Sequence, residues 1–151
     1  MTRDRDEWRR VPAAGLTYFA VVMAAGVGLG VVREVLVAPA IGPRVAELAE
    51  YPVMLAIVVL AGRWRARAHR LGGAGPRMAA GGLAVACLLA TEQAMIVAVR
   101  GVSPADFYAA RPWWLNAMFL AAMAVMAAAP LAAGRHATVT GSGPVRERTS
   151  R

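Results

Sequence analysis

Between Pro12 and Val32 the chain runs PAAGLTYFAVVMAAGVGLGVV without one charged residue. At about 1.5 Å of rise per residue, a helix of that length covers the roughly 30 Å hydrocarbon core of a bilayer. Lipid offers the backbone no hydrogen bonds, so a block like this must pair its own amides and carbonyls, which a helix does. Three further apolar blocks follow, near residues 44–62, 78–99 and 113–133. The pattern predicts an all-α integral membrane four-helix bundle over residues 12–134. A short arm, residues 1–11, precedes it and a polar tail, residues 135–151, follows it. The tail is Gly-containing and rich in charge, and is expected to be disordered.

The punctuation of these blocks sets the expected joints. Pro12 is placed in the first turn of span one, where a missing N–H is tolerated. The first block is also longer than the roughly 7–15 apolar residues of a secretory signal, so it reads as a retained helix that doubles as the insertion signal. Pro39, Gly42 and Pro43 predict a turn after it. Span two starts with Pro43 in its first turn. Its clean apolar part, Val53 to Ala61, is too short to cross alone, so the span must take in Glu47 and Glu50. Pro52 is expected to free a backbone carbonyl there. The segment Arg63 to Arg77 reads as a basic loop with a Gly-rich centre. Ser103-Pro104-Ala105-Asp106 reads as a helix start with an acid in its first turn.

Charge supplies the orientation. All 17 basic residues are Arg, which together with abundant Ala, Gly and Val fits a high-GC bacterial genome. The net charge of +8 does not imply a nucleic-acid partner, because the arginines sit in short segments beside the apolar blocks. The arm, the loop between spans two and three, and the tail hold most of them. On the other side stand only Arg33, Arg44, Arg100 and Arg111. The positive-inside rule then puts both termini in the cytoplasm of a multi-pass protein of the bacterial inner membrane. Trp8 and Trp64 mark the inner interface. Tyr51, Phe107, Tyr108, Trp113 and Trp114 mark the outer one.

Ionisable groups inside lipid are the informative exceptions. Glu92 falls about 20 Å up span three from its inner end, in the outer half of the bilayer. Glu47 and Glu50 enter the same layer and, three residues apart, share a helix face. Arg33 ends span one and Arg100 ends span three. These five residues form a predicted intramembrane polar cluster. In one reading Arg33 and Arg100 pair with the glutamates and pin the helices together. In the other, one carboxylate, with Glu92 foremost, stays free and accepts a proton or binds a cation. Thr91, beside Glu92, is expected to bond back to its own helix.

Other residues carry blander expectations. Cys87 has no second Cys or His nearby and reads as a small hydrophobe. Met118, Met123 and Met126 read as core filler. His69 and His136 lie in basic segments and are expected to be solvated. Gly26 and Gly30 form a G-x-x-x-G pair suited to close packing within the monomer. No Ser-His-Asp set, Cys-His pair or phosphate-cradling glycine loop is present, so the sequence predicts no enzyme, no cofactor and no metal. The expected partners are the lipid bilayer and then a second copy or a larger membrane complex. A small oligomeric transporter or channel stands as the alternative function.

The residues Gly26, Gly30, Arg33, Pro39, Gly42, Glu47, Glu50, Pro52, Met54 and Leu55 resemble a pattern in a family of small four-helix bacterial inner-membrane proteins. In that pattern glycines are followed by Arg, a Pro/Gly turn and a Glu-x-Pro-x-Met-Leu segment. The likeness extends to Glu92, Arg100-Gly101 and Pro130. It implies the same four-helix layout and the same polar residues, and no substrate.

Overall fold

The computed structural model describes residues 2–134. The predicted tail, with His136, lies outside the described residues. No strand occurs among them. Among the described residues four helices are long and apolar enough to cross a membrane: Arg5–Ile41, Pro43–Ala68, Ala74–Arg100 and Trp113–Ala133. The chain is therefore a multi-pass membrane protein with an all-helical bundle.

The first crossing is longer and less regular than the sequence suggests. Helix α1 spans Thr2–Val32, so Pro12 lies inside it rather than in its first turn. The proline leaves the Trp8 carbonyl without its helical donor. Trp8 is half exposed at the helix's polar end, where that carbonyl can meet water or headgroups. The expected turn at 33–43 is also mostly helix. A π-helical stretch, Arg33–Val37, leads into a last turn α2, Ala38–Ile41. The Ala38 amide donates to the carbonyl of Arg33, five residues back. Pro39 explains the widening: in a tight α-turn its ring would strike the carbonyl four residues earlier. Gly42, with φ of 85°, ends the crossing in a conformation that a side chain disfavours.

Helix α3, Pro43–Ala68, starts on its proline as expected and runs through Pro52 without a break. It also absorbs Arg63, Arg65 and Arg67, which the sequence reading assigns to a loop. Its end is sharp. Arg70 takes the left-handed conformation, its amide donates to Arg67 and the Leu71 amide donates to Ala66. That is a Schellman cap, and Leu71 completes it by burying its side chain against Val11, Ala14 and Ala80. Helix α4, Ala74–Arg100, follows. Helix α5, Pro104–Ala109, is capped by Ser103, whose hydroxyl accepts from the Asp106 amide, as its sequence predicts. Helix α6, Trp113–Ala128, tightens into a 3-10 turn, Ala129–Ala133, around Pro130.

Around the bundle α1 and α6 each pack against both α3 and α4. Small residues set the closest approaches. A Cβ on Gly81 of α4 would run into the backbone of Ala127, and one on Gly62 of α3 would meet Ala129 at 2.8 Å. Gly28 and Gly30 face no neighbour, and Gly26 only touches the end of Met54. Close packing thus uses other glycines than the predicted G-x-x-x-G pair. Tyr18, 1% exposed, sits at the centre among Val22, Val58, Ala61, Ala84, Met126 and Ala129. Its hydroxyl lies 2.9 Å from the Val58 carbonyl and 3.2 Å from that of Met126, tying α1 to α3 and α6. Met126 is core filler, as its sequence context suggests.

One end of the bundle, the terminal end, gathers the start of α1, the α3–α4 link and the residues after α6. Glu7 accepts hydrogen bonds from the amides of Gly72 and Gly73. Arg67 donates to the Ala133 carbonyl at 2.9 Å. Arg77, 5% exposed, donates to the carbonyls of Leu71 and Gly134. These two arginines therefore fasten the chain as well as carrying charge. His69 is not simply solvated: its Nε2 lies 3.3 Å from the Thr17 hydroxyl on α1. The π-helical stretch, Gly42 and the α4–α6 connection form the opposite, distal end.

Candidate functional site

The four crossings part toward the distal end. Between them lies a cavity of about 560 Å³, and Arg33, Glu47, Glu50, Glu92 and Arg100 all line it. Its deep walls are apolar, with Val22, Met54, Val58, Leu88 and Met126. Below these the Tyr18 cluster fills the bundle, so the lining stops about half-way along the helices.

Each polar group reaches the cavity for a local reason. The π turn begins at Arg33 and widens the helix there, and Arg33 Nη1 meets the Glu50 carboxylate at 3.0 Å. Its Nη2 lies 3.1 Å from Glu34, which is largely exposed. One helical turn from Glu50, Glu47 projects from the same face of α3. Its partner is Arg111, at 2.8 Å. Of the two arginines expected to pair with the glutamates, Arg33 does and Arg100 does not. Arg100 forms no ion pair among the described residues; its guanidinium lies 4.9 Å from the centroid of the Phe107 ring. Arg111, in sequence only a mark of topology, is the cation that the structure adds to the cluster. No local signal places it near the start of α3; the pairing with Glu47 follows from how α6 docks against α3.

Both ion pairs are half-withdrawn from water. The Arg33 and Glu50 side chains retain 30% and 17% exposure, and Arg111 and Glu47 retain 27% and 32%. The first pair joins the end of the first crossing to α3. The second joins α3 to the connection between α5 and α6. Arg111 also lies 5.3 Å from the Phe107 centroid, so one ring contacts two guanidiniums.

Glu92 differs from the other carboxylates. It lines the cavity yet has no salt-bridge partner among the described residues. Beside it, Thr91 bonds back to the Cys87 carbonyl at 2.9 Å, as expected. Gln93 donates to the Tyr108 hydroxyl at 3.2 Å. The Tyr108 carbonyl in turn accepts from Asn116 on α6 at 2.9 Å. Burial, reinforced by the negative charge of Glu92, pushes the Tyr108 phenol above its ordinary pKa. Tyr108 thus remains a neutral donor and acceptor at this end of the bundle.

Comparison with protein-family models, curated proteins and solved structures finds no match to this chain. The site's meaning rests on its own geometry.

Proposed function

We propose that the chain is a non-enzymatic structural or accessory protein of the bacterial inner membrane, held at its distal end by an ionic lock. The observation that carries this is the pair of inter-element bridges, Arg33–Glu50 and Arg111–Glu47, at one level of the bundle. A buried charge is costly unless paired, and removing one partner strands the other. Each bridge therefore favours the arrangement in which the ends of three segments meet. The arginines of the arm and of residues 63–77 support a cytoplasmic terminal end, by the positive-inside rule. The partner in this role is a second copy or a larger membrane complex. A double-mutant cycle on Arg33 and Glu50 tests the lock: the two single substitutions must not add.

Glu92 favours a second reading, proton or cation translocation, because it is a carboxylate without an ion pair on a cavity wall. The packed layer around Tyr18 weighs against a continuous path. Flux measured in proteoliposomes separates the readings. Under the lock, Glu92→Gln leaves both proton leak and thermal stability at wild-type values. A specific flux in the wild type that the substitution abolishes, with stability intact, would establish translocation instead.

A further inference from the structure

Arg100 and Arg44 have no carboxylate partner among the described residues. Both line a second hollow of about 400 Å³, together with Arg33, Glu34, Glu47 and Arg111. This hollow shares Arg33, Glu47, Arg100, Phe107 and Arg111 with the larger cavity, so an apolar chamber opens into an arginine-rich vestibule. The charges are sorted by depth. The vestibule holds four arginines and two glutamates, while Glu50 and Glu92 line only the chamber. Two bridges neutralise Arg33 with Glu50 and Arg111 with Glu47. Arg33 is shared with the largely exposed Glu34 as well, so what remains toward the ligand is Arg100 and Arg44 against the surplus charge of Glu34 at the mouth, and the Glu92 carboxyl further in.

We infer that this double cavity binds a single-chain amphiphile bearing a phosphate, of the lysophospholipid class. The chain lies along the Val22, Met54, Leu88 and Met126 walls. The phosphate meets Arg100 and Arg44, whose guanidinium forks match phosphate oxygens. The free glycerol hydroxyl of such a lipid, between chain and phosphate, donates to Glu92. The order of groups along the molecule is thus the order of groups along the cavity. The chamber's volume falls in the roughly 300–1,000 Å³ range of pockets that enclose a small-molecule ligand. The inference concerns ligand binding and stands apart from whether the ion pairs stabilise the fold.

The test uses the full chain purified in a neutral maltoside, with binding followed by native mass spectrometry and by the shift in thermal midpoint. The probes are palmitoyl lysophosphatidic acid, hexadecyl phosphate (no glycerol hydroxyl) and inorganic phosphate. The lysolipid is expected to bind most tightly, and Arg100→Gln to weaken it at least tenfold. Glu92→Gln should weaken the lysolipid several-fold and leave hexadecyl phosphate unchanged. Gly26→Leu, whose side chain would fill the chamber, should abolish binding of both amphiphiles; it keeps the test decisive if Arg100→Gln fails to fold. Inorganic phosphate giving the same shift as the lysolipid would overturn the assignment in favour of a bare phosphate site. Lysolipid affinity unaffected by both Arg100→Gln and Gly26→Leu would overturn it altogether.

Discussion

Tyr18 is the residue on which the closed half of the bundle depends, and Tyr18→Ala is the perturbation that measures it. The side chain is 1% exposed and touches residues from α1, α3, α4 and α6. In soluble cores, removing a buried aromatic ring costs about 3–5 kcal/mol, part of it transfer from water and part the cavity left behind. In a membrane the unfolded reference keeps its helices in an apolar medium, so the transfer part shrinks and lost packing contacts remain. About 2–3 kcal/mol is the expected loss for Tyr18→Ala. Tyr18→Phe keeps the ring and removes only the hydroxyl that bridges toward Val58 and Met126. Interhelical hydrogen bonds in lipid contribute about 0.6 kcal/mol on average, so about 1 kcal/mol bounds the loss. Titration of purified protein from maltoside into SDS, followed by circular dichroism and Trp fluorescence, gives both values. Equal losses for the two variants would refute the packing argument, since the hydroxyl alone would then account for the effect.

Two further substitutions probe the rest of the scaffold. Gly81→Val places a branched side chain against the Ala127 backbone, forcing α4 and α6 apart; a loss of about 3 kcal/mol is expected in the same SDS titration, within the overpacking range. Arg70→Gly removes a side chain from a left-handed position of the Schellman cap and should raise stability by about 1 kcal/mol, read as a higher midpoint of thermal unfolding.

Much of this molecule was legible in its sequence. The four crossings follow from block length, the Ser103 cap from its spacing to Asp106, and the Thr91 back-bond from its place in an apolar helix. Glu47, Glu50 and Glu92 stand out because lipid makes any carboxylate conspicuous. The joints were less legible, and for one recurring reason: helix can continue where local signals say stop. Pro39 reads as a breaker, yet a π turn before it lets the helix run on to Gly42. Pro12 reads as a start, yet the arm ahead of it is already helical. Partner choice was the other blind spot. Arg33, Arg44, Arg100 and Arg111 are indistinguishable as charges near one interface. Which of them meets Glu47 depends on how α6 docks against α3, and no local pattern encodes that. The roles of Arg67 and Arg77 as carbonyl clamps were hidden in the same way, beneath a topological meaning that already accounted for their charge.

Glu47 and Glu50 serve as structural bridges between segments, and a double-mutant cycle on Arg33 and Glu50 measures one of them. The variants are Arg33→Gln, Glu50→Gln and the double substitution, each measured by SDS titration. With 30% and 17% exposure, the pair lies between exposed bridges, about 0.2–1 kcal/mol, and fully buried ones, where loss of a partner costs about 3–5 kcal/mol. A coupling of about 1–2 kcal/mol is expected, with the double variant little worse than either single one. Strict additivity, with a coupling below about 0.3 kcal/mol, would contradict it.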